Sequence, residues 1–277
     1  MKKQMIGLLS IFAALFIFVG CSNSNDGSVQ SNNGNEGNDS QKETVTLTFN
    51  TNPGYAPFEY LDKGEIVGFE IDLLNAMAEA GGFNVNIKDM GWEAQFIELD
   101  NQSVDGVMSS VTITPKREES YTFSKPYFEN YVVILVPKDS TITSATDLTA
   151  DMNIGVLSGS TSQFAAEAIF GENAKNIKRY EDNPLAILGL KNNEVDVVIC
   201  DELVAYYHIK NNPNDNLKVV EDRTNFEAEY YGVCLQKNSP HQEMINNALK
   251  TIVDNGKYAE IYQAWVGEEP NLDYMNE

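Results

Sequence analysis

Apolar residues recur at two different spacings from residue 44 onward. Residues 44–51 alternate apolar and polar positions, which predicts a half-buried strand. Residues 69–80 place apolar side chains at positions 69, 73, 74 and 77, the stripe of an amphipathic helix that Gly81-Gly82 would end. Strand-like runs and helical stripes keep alternating as far as residue 267. The pattern predicts an α/β fold with a mainly parallel sheet.

The remaining elements follow from the same spacings and from turn residues between them. Residues 52–60 are rich in Pro and Gly and predict a loop that presents aromatic side chains, and Trp92 is predicted to open another loop. Ser239-Pro240 predicts the start of a late helix that ends at Asn255-Gly256 and precedes a last helix. Further strands are predicted at residues 85–90, 107–108, 153–157, 175–180 and 195–200, and further helices at 94–99, 163–170, 184–191 and 203–210.

The N-terminus has the pattern of a lipoprotein signal peptide, predicted over residues 1–20. Lys2 and Lys3 precede an apolar run at 6–19 that leads to Cys21, with Phe18 where such signals usually carry leucine. The run is shorter than the roughly 20 apolar residues that span a bilayer, although a retained anchor helix is the alternative. Cys21 is the predicted lipidation site, which would tether an exported protein to the outer face of the cell membrane.

Residues 21–43 follow this signal and contain almost nothing apolar apart from Val29. Such a segment cannot bury enough surface to offset its ordering entropy, so we predict a flexible linker after the lipidated cysteine. From residue 44 onward about 230 residues remain, enough for two domains of ordinary size.

The charge balance is strongly acidic, with 41 Asp and Glu against 19 Lys and Arg. It argues against partners such as nucleic acid or an anionic lipid surface. Cys200 and Cys234 lie in apolar runs and are predicted to be buried thiols, with a disulfide as the alternative. His208 and His241 show no ligand spacing with the cysteines, so neither a metal nor a cofactor is expected.

The candidate chemistry is concentrated in residues 104–127. A short apolar strand, Val107 and Met108, leads into Ser109, Ser110 and Thr112, and Arg117 follows. Hydroxyls and backbone amides at a strand end suit one oxygen of a carboxylate, and a guanidinium suits both in a bidentate pair. An ordinary surface arginine is the alternative.

The same stretch closely resembles a signature of the polar amino-acid-binding proteins that serve ABC importers, such as the glutamine-, histidine- and lysine/arginine/ornithine-binding proteins. That signature reads G-x-T-x-T-x-x-R followed by F-S-x-P-Y. It is matched by Thr112, Thr114, Arg117, Phe123, Ser124, Pro126 and Tyr127, while Ser110 stands where the family often has glycine. The resemblance covers residues 45–267.

The resemblance implies a type II periplasmic-binding-protein-like α/β fold, in which two lobes are joined by a two-strand hinge and the ligand cleft lies between them. The apolar runs at residues 131–136 and 230–235 are then the two crossings. The first lobe is expected at residues 44–128 plus 229–268, the second at 132–225, and a C-terminal tail at 269–277. A monomer is expected.

The resemblance also assigns roles at the cleft. Arg117 would hold the carboxylate of an amino acid and Asp201 its ammonium group, although Asp201 at a strand end also suits a helix N-cap. Tyr55 and Trp92 align with an aromatic pair that encloses the ligand side chain. Ser160 and Thr161 precede a helix and suit either an anion or an N-cap. The predicted ligand site comprises Asn52, Tyr55, Trp92, Ser109, Ser110, Thr112, Arg117, Leu157, Ser160, Thr161 and Asp201.

Two departures from the family pattern bear on the ligand. Asn52 stands where some relatives carry an aspartate, and Leu157 stands where others carry a longer polar residue. They favour a polar, uncharged side chain on the ligand. The predicted function is capture of a free amino acid and its delivery to ABC permease subunits, without catalysis. The alternatives are a sensory or adhesion module without transport, and a dehydratase-type enzyme on the same fold using Glu59, Glu70 or Glu93 as acid or base.

Overall fold

The computed structural model describes residues 44–276. The predicted signal peptide (1–20), the lipidation of Cys21 and the linker (21–43) lie outside these described residues and remain predictions. Between residues 44 and 276, no helix combines the length and the apolar character needed to cross a bilayer.

The described chain alternates strands and helices almost throughout. The strands are β1 (Thr46–Thr51), β2 (Gly54–Tyr55), β3 (Glu59–Asp62), β4 (Glu65–Val67), β5 (Asn84–Asp89), β6 (Gly106–Val107), β7 (Thr122–Phe123), β8 (Phe128–Pro137), β9 (Ile154–Leu157), β10 (Ile177–Tyr180), β11 (Val197–Asp201), β12 (Leu217–Val220), β13 (Ala228–Tyr231) and β14 (Cys234–Leu235). The helices are α1 (Phe69–Gly81), α2 (Trp92–Asp100), α3 (Pro115–Ser120), α4 (Thr161–Phe170), α5 (Asn183–Lys191), α6 (Glu202–Asn211), α7 (Gln242–Asp254) and α8 (Lys257–Val266).

The first lobe is built on a sheet of order β5-β1-β6-β14-β7. Strand β1 runs parallel to β5 and β6, and β14 runs antiparallel to β6 and β7. Helix α1 buries the predicted stripe, including Phe69, Leu73 and Met77, and packs against α7 and α8. Gly82 ends α1 in the left-handed conformation, φ 66°, that favours glycine. The tail also contributes to this core, because Tyr274 is buried beside Tyr258.

The second lobe is built on a sheet of order β10-β9-β11-β8-β12. Strands β9, β10 and β11 are parallel, whereas β8 is antiparallel to β11 and β12. Alternate β8 residues face opposite sides of this sheet, so that Ile134 and Leu135 lie in separate apolar clusters. Helices α4, α5 and α6 cover the sheet.

Two antiparallel segments connect the lobes. Strand β8 begins at Phe128, in the core of the first lobe, and continues into the second sheet, and β13 pairs with it. The return run at 230–235 contains two strands, because Gly232 and Val233 separate β13 from β14. A side chain at Gly232 would meet that of Ile113 at 2.9 Å. The lobe boundaries at 128/132 and 225/229 stay predictions.

Most predicted elements are confirmed, and three details were wrong. Residues 52–60 are not simply a loop, since β2 and β3 form a small antiparallel sheet with β4. Trp92 is the first residue of α2 and does not open a loop. Ser239-Pro240 does not cap α7, whose N-cap is His241. Cys200 and Cys234 are buried free thiols, as predicted.

Candidate functional site

A cavity lies between the two lobes. All eleven residues of the predicted ligand site line it, together with Gly54, Asp182 and Asn183, which were not predicted. Asn52 follows β1, Ser109 and Ser110 follow β6, and Leu157 and Asp201 end β9 and β11. In open α/β sheets, the carboxyl ends of parallel strands meet at one edge, and loops from both lobes therefore converge here.

Arg117 is positioned by the start of α3. Pro115 opens this helix and the Thr114 hydroxyl caps it, accepting a hydrogen bond from the Arg117 amide at 3.2 Å. The guanidinium Nη1 donates to the Thr112 carbonyl at 2.9 Å, and Nη2 donates to the Gly159 carbonyl at 3.3 Å. The central carbon of the guanidinium, Cζ, lies 5.6 Å from the centre of the Trp92 ring. The cation is thus fixed at the cavity between a carbonyl of each lobe, and desolvation lowers the pKa of Arg117.

Asp201 is the last residue of β11 and is 4% exposed. It occupies the N-cap position of α6, but its side chain makes no capping hydrogen bond. The carboxylate instead accepts hydrogen bonds from the hydroxyls of Tyr55 and Tyr231. Burial raises the pKa of Asp201, while these two hydroxyls and the charge of Arg117 oppose the rise. The side chain is therefore directed at the cavity edge and not at its own helix.

The aromatic pair is only partly as predicted. Both rings line the cavity, but the Tyr55 hydroxyl is bonded to Asp201, and the Tyr55 ring stacks on Phe58 with centroids 6.0 Å apart. Trp92 is buried against Phe96 and faces Arg117. Enclosure of a ligand side chain between the two rings stays a prediction.

Two buried carboxyl groups support the serines after β6. Ser109 Oγ donates to Glu59 at 2.8 Å and accepts from the Asn52 amide at 3.1 Å. The amide and hydroxyl of Ser110 donate to Glu70 at 2.8 and 2.9 Å, and the Tyr127 hydroxyl donates to Glu70 at 2.6 Å. Burial raises the pKa of Glu59 and raises that of Glu70 to about 7. Hydrogen bonds to Glu59 and Glu70 thus fix the positions of Ser109 and Ser110.

Ser110 shows why the resembling family often has glycine at this position. Its φ is 50°, a left-handed conformation that costs a residue with a Cβ about 1–3 kcal/mol. The Ser110 amide, shared between both oxygens of Glu70, and the Ser110 hydroxyl donate hydrogen bonds that offset that cost. Glu59 and Glu70, considered above as acids or bases, are fully buried and line no part of the cavity, and Glu93 lies outside it, bonded to Ser158 at 2.7 Å.

Helix α4 starts at the cavity. Ser160 is its N-cap, one of the two roles predicted for this residue, because its hydroxyl accepts a hydrogen bond from the Gln163 amide at 3.2 Å. Thr161 is the first helical residue, and its Oγ1 donates to Glu229 at 2.8 Å. Thr112 Oγ1, from the first lobe, donates to the same Glu229 oxygen at 3.1 Å.

Several residues near the cavity had not been predicted. Asp182 caps α5, accepting from the Leu185 amide at 2.7 Å, and Asn183 is buried with its Oδ1 unpartnered. The Asp182-Asn183-Pro184 sequence is an N-cap signal at a helix start and could have indicated this loop. Glu229 and Tyr231 lie on β13. The sequence of this strand contains no local motif that indicates a binding site.

The comparisons with known proteins agree with this arrangement. Residues 47–268 match the family model of bacterial extracellular solute-binding proteins, family 3. A probable histidine-binding protein from Neisseria gonorrhoeae is 39% identical over 221 residues, which cover 79% of this chain and 82% of that relative.

Two solved structures are similar as well. The arginine-, lysine-, histidine-binding protein ArtJ from Geobacillus stearothermophilus has a TM-score of 0.82 and 44% identity, covering 84% of this chain and 100% of that one. An ancestral arginine-binding protein bound to glutamine has a TM-score of 0.75 and 36% identity, covering 80% and 98%. The predicted two-lobed, type II periplasmic-binding-protein-like fold is confirmed by these likenesses. Because the family match spans most of the described residues, the chain belongs to the bacterial extracellular solute-binding proteins, family 3.

Proposed function

We propose that this protein is the lipid-anchored binding component of an ABC importer, and that it captures a polar amino acid between two closing lobes. One observation carries the proposal: a guanidinium from the first lobe and a carboxylate from the second line the same cavity, Arg117 and Asp201. An α-amino acid carries both complementary charges. A zwitterion removed from water without such partners would lose several kcal/mol of solvation.

The carboxylate end of the ligand is assigned to Arg117 and the groups around it. Each Nη of Arg117 donates one hydrogen to a backbone carbonyl, which leaves a second hydrogen on each nitrogen for a bidentate pair. The hydroxyls of Thr112 and Thr161 lie at the same cavity. The amides of the first turn of α4 add the positive end of a helix dipole.

The ammonium end is assigned to Asp201. Its carboxylate is buried and already oriented by the hydroxyls of Tyr55 and Tyr231, so little ordering is needed on binding. Tyr55 belongs to the first lobe and Asp201 to the second, so the ligand and this hydrogen bond would favour the same closed arrangement. A ligand shifts the lobes toward closure by its differential contacts with the two arrangements.

The ligand side chain is assigned to the part of the site that Asn52 and Leu157 line, and these two departures from the family pattern favour an uncharged polar group. A specific observation favours a second candidate, a basic side chain: Asp182 also lines the cavity, and only one of its oxygens is used as a helix cap. Relatives named for binding histidine, arginine and lysine support that candidate. The binding of glutamine by an ancestral relative supports the first.

Calorimetric titration of the purified protein with each of the twenty amino acids tests the proposal. We expect binding of one or a few polar amino acids, and at a hundred times its dissociation constant such a ligand adds about 2.7 kcal/mol to the free energy of unfolding. If Asp182→Asn weakens arginine and histidine but not glutamine, the basic side chain is the ligand class. If no amino acid binds, the proposed function is wrong.

A further inference from the structure

We propose that Glu229 is a positioning residue that sets which way the Thr112 and Thr161 hydroxyls point, and thereby couples amino-acid capture to uptake of a proton. This inference rests on the proposed function, because it concerns the groups assigned to the ligand carboxylate. Glu229 lies on β13, one of the two connections between the lobes.

The geometry places Glu229 in competition with that carboxylate. A single oxygen, Oε2, accepts from Thr112 at 3.1 Å and from Thr161 at 2.8 Å. The two hydroxyl oxygens lie 3.5 Å apart and both line the ligand cavity. A threonine hydroxyl has one hydrogen to donate. As long as Glu229 is ionised and holds both hydrogens, neither hydroxyl can donate to a ligand.

Protonation of Glu229 removes this conflict. The neutral carboxyl group can donate its own hydrogen to one threonine oxygen, after which the hydrogens of Thr112 and Thr161 are free to turn into the cavity. Protonation also removes a negative charge beside the place assigned to the ligand carboxylate. The balance is one ligand and one proton from solvent taken up together, with no bond broken in the protein.

The surroundings make such a change accessible near neutral pH. Burial raises the pKa of Glu229 to about 7, helped by the charge of Asp201 and opposed by the Thr161 and Thr112 hydrogen bonds and by the charge of Arg117. From the neighbouring elements, Asn130 of β8 pairs with Glu229 in register, and Tyr231 lies two residues along β13. Glu229 also borders a surface groove beside α4, which gives water a route to the carboxyl group.

The sign of the effect follows from linkage. A ligand carboxylate adds negative charge and withdraws hydroxyl donors, so it raises the pKa of Glu229 above its value in the free protein. Between the two pKa values binding takes up a proton, and affinity falls as pH rises, by at most about tenfold per pH unit. Below the free-protein pKa Glu229 is already protonated and affinity is constant.

Calorimetry in phosphate and in Tris, whose ionisation heats differ, measures proton uptake directly. With the amino acid that binds best, we expect the wild type at pH 7.5 to take up about 0.7 proton per ligand and to lose about tenfold in affinity between pH 7 and pH 8.5. Glu229→Gln should take up almost none and change less than about twofold over that range. Glu227→Gln, the same change on an exposed neighbour, should behave as the wild type.

Each outcome decides the matter. Wild-type binding without proton uptake overturns the inference and leaves amino-acid capture intact, and this holds even if the variant does not fold. Unchanged uptake in Glu229→Gln assigns the proton to another carboxyl group. A folded Glu229→Gln that loses more than tenfold in affinity at pH 6 shows that the charge itself is needed. If the wild type binds no amino acid at all, it is the proposed function that fails.

Discussion

Replacing Arg117 with lysine keeps the positive charge at the cavity and removes the planar fork. In the structure the guanidinium donates to the carbonyls of Thr112 and Gly159 and retains a second hydrogen on each Nη. An ammonium group cannot hold both carbonyls and still present two parallel donors. Loss of one charge-assisted hydrogen bond costs about 1.5–3 kcal/mol, and a carbonyl left without its donor adds about 1–2 kcal/mol. Arg117→Lys should therefore weaken binding by about 2–5 kcal/mol, roughly 30- to 4,000-fold in Kd.

The assay is calorimetric titration at pH 6, with thermal unfolding recorded for the same samples. Arg179→Lys is the matched control, because Arg179 forms a surface ion pair with Glu167 and does not line the cavity. We expect the control to bind within about twofold of the wild type. If Arg117→Lys also binds within twofold while remaining folded, the guanidinium does not contact the ligand and the reasoning above is refuted.

Three further predictions concern single residues. Asp201→Asn should keep the fold, since the amide oxygen can still accept from a tyrosine, but should weaken every amino acid by more than about tenfold in calorimetry; equal affinity would remove Asp201 from the ammonium site. Trp92→Ala should weaken ligands with long or flat side chains by about 1.5–3 kcal/mol, plus about 0.5–1.5 from stacking, and affect glycine or alanine much less in competition titrations. A uniform loss would mean that the ring only shapes the lobe. Mass spectrometry of the native protein should find Cys21 as a lipidated N-terminus, and an intact Met1 would contradict that prediction.

Local patterns predicted part of the cavity lining, whereas the roles of Asp201, Tyr55 and Trp92 came from the family resemblance. Arg117 follows a strand end and a Thr-Pro helix start, and Asp201 ends an apolar run that forms a buried strand. Since parallel strands direct their carboxyl ends to one edge of a sheet, local patterns of this kind are enough to bring distant residues together.

Two of the residues that were missed depend on contacts that local patterns do not encode. Glu229 and Tyr231 face the site only because β13 pairs with β8 in one particular register. The sequence predicts a loop at Trp92, yet the ring is buried against Phe96 and beside Arg117, and Trp92 is the first residue of α2. In both cases tertiary packing outweighs the local preference.

The position of β14 in the first sheet has a consequence for the order in which the chain can fold. Strand β14 lies between β6 and β7, and α7 and α8 complete the cover of α1, so the first lobe lacks its central partners until the last 50 or so residues are available. The second sheet, by contrast, takes its strands from one continuous stretch of chain. A polypeptide emerging from its N-terminus therefore cannot close the lobe it begins with. We expect this to delay the native structure of the first lobe until translocation is nearly complete, which suits a protein that functions outside the cell.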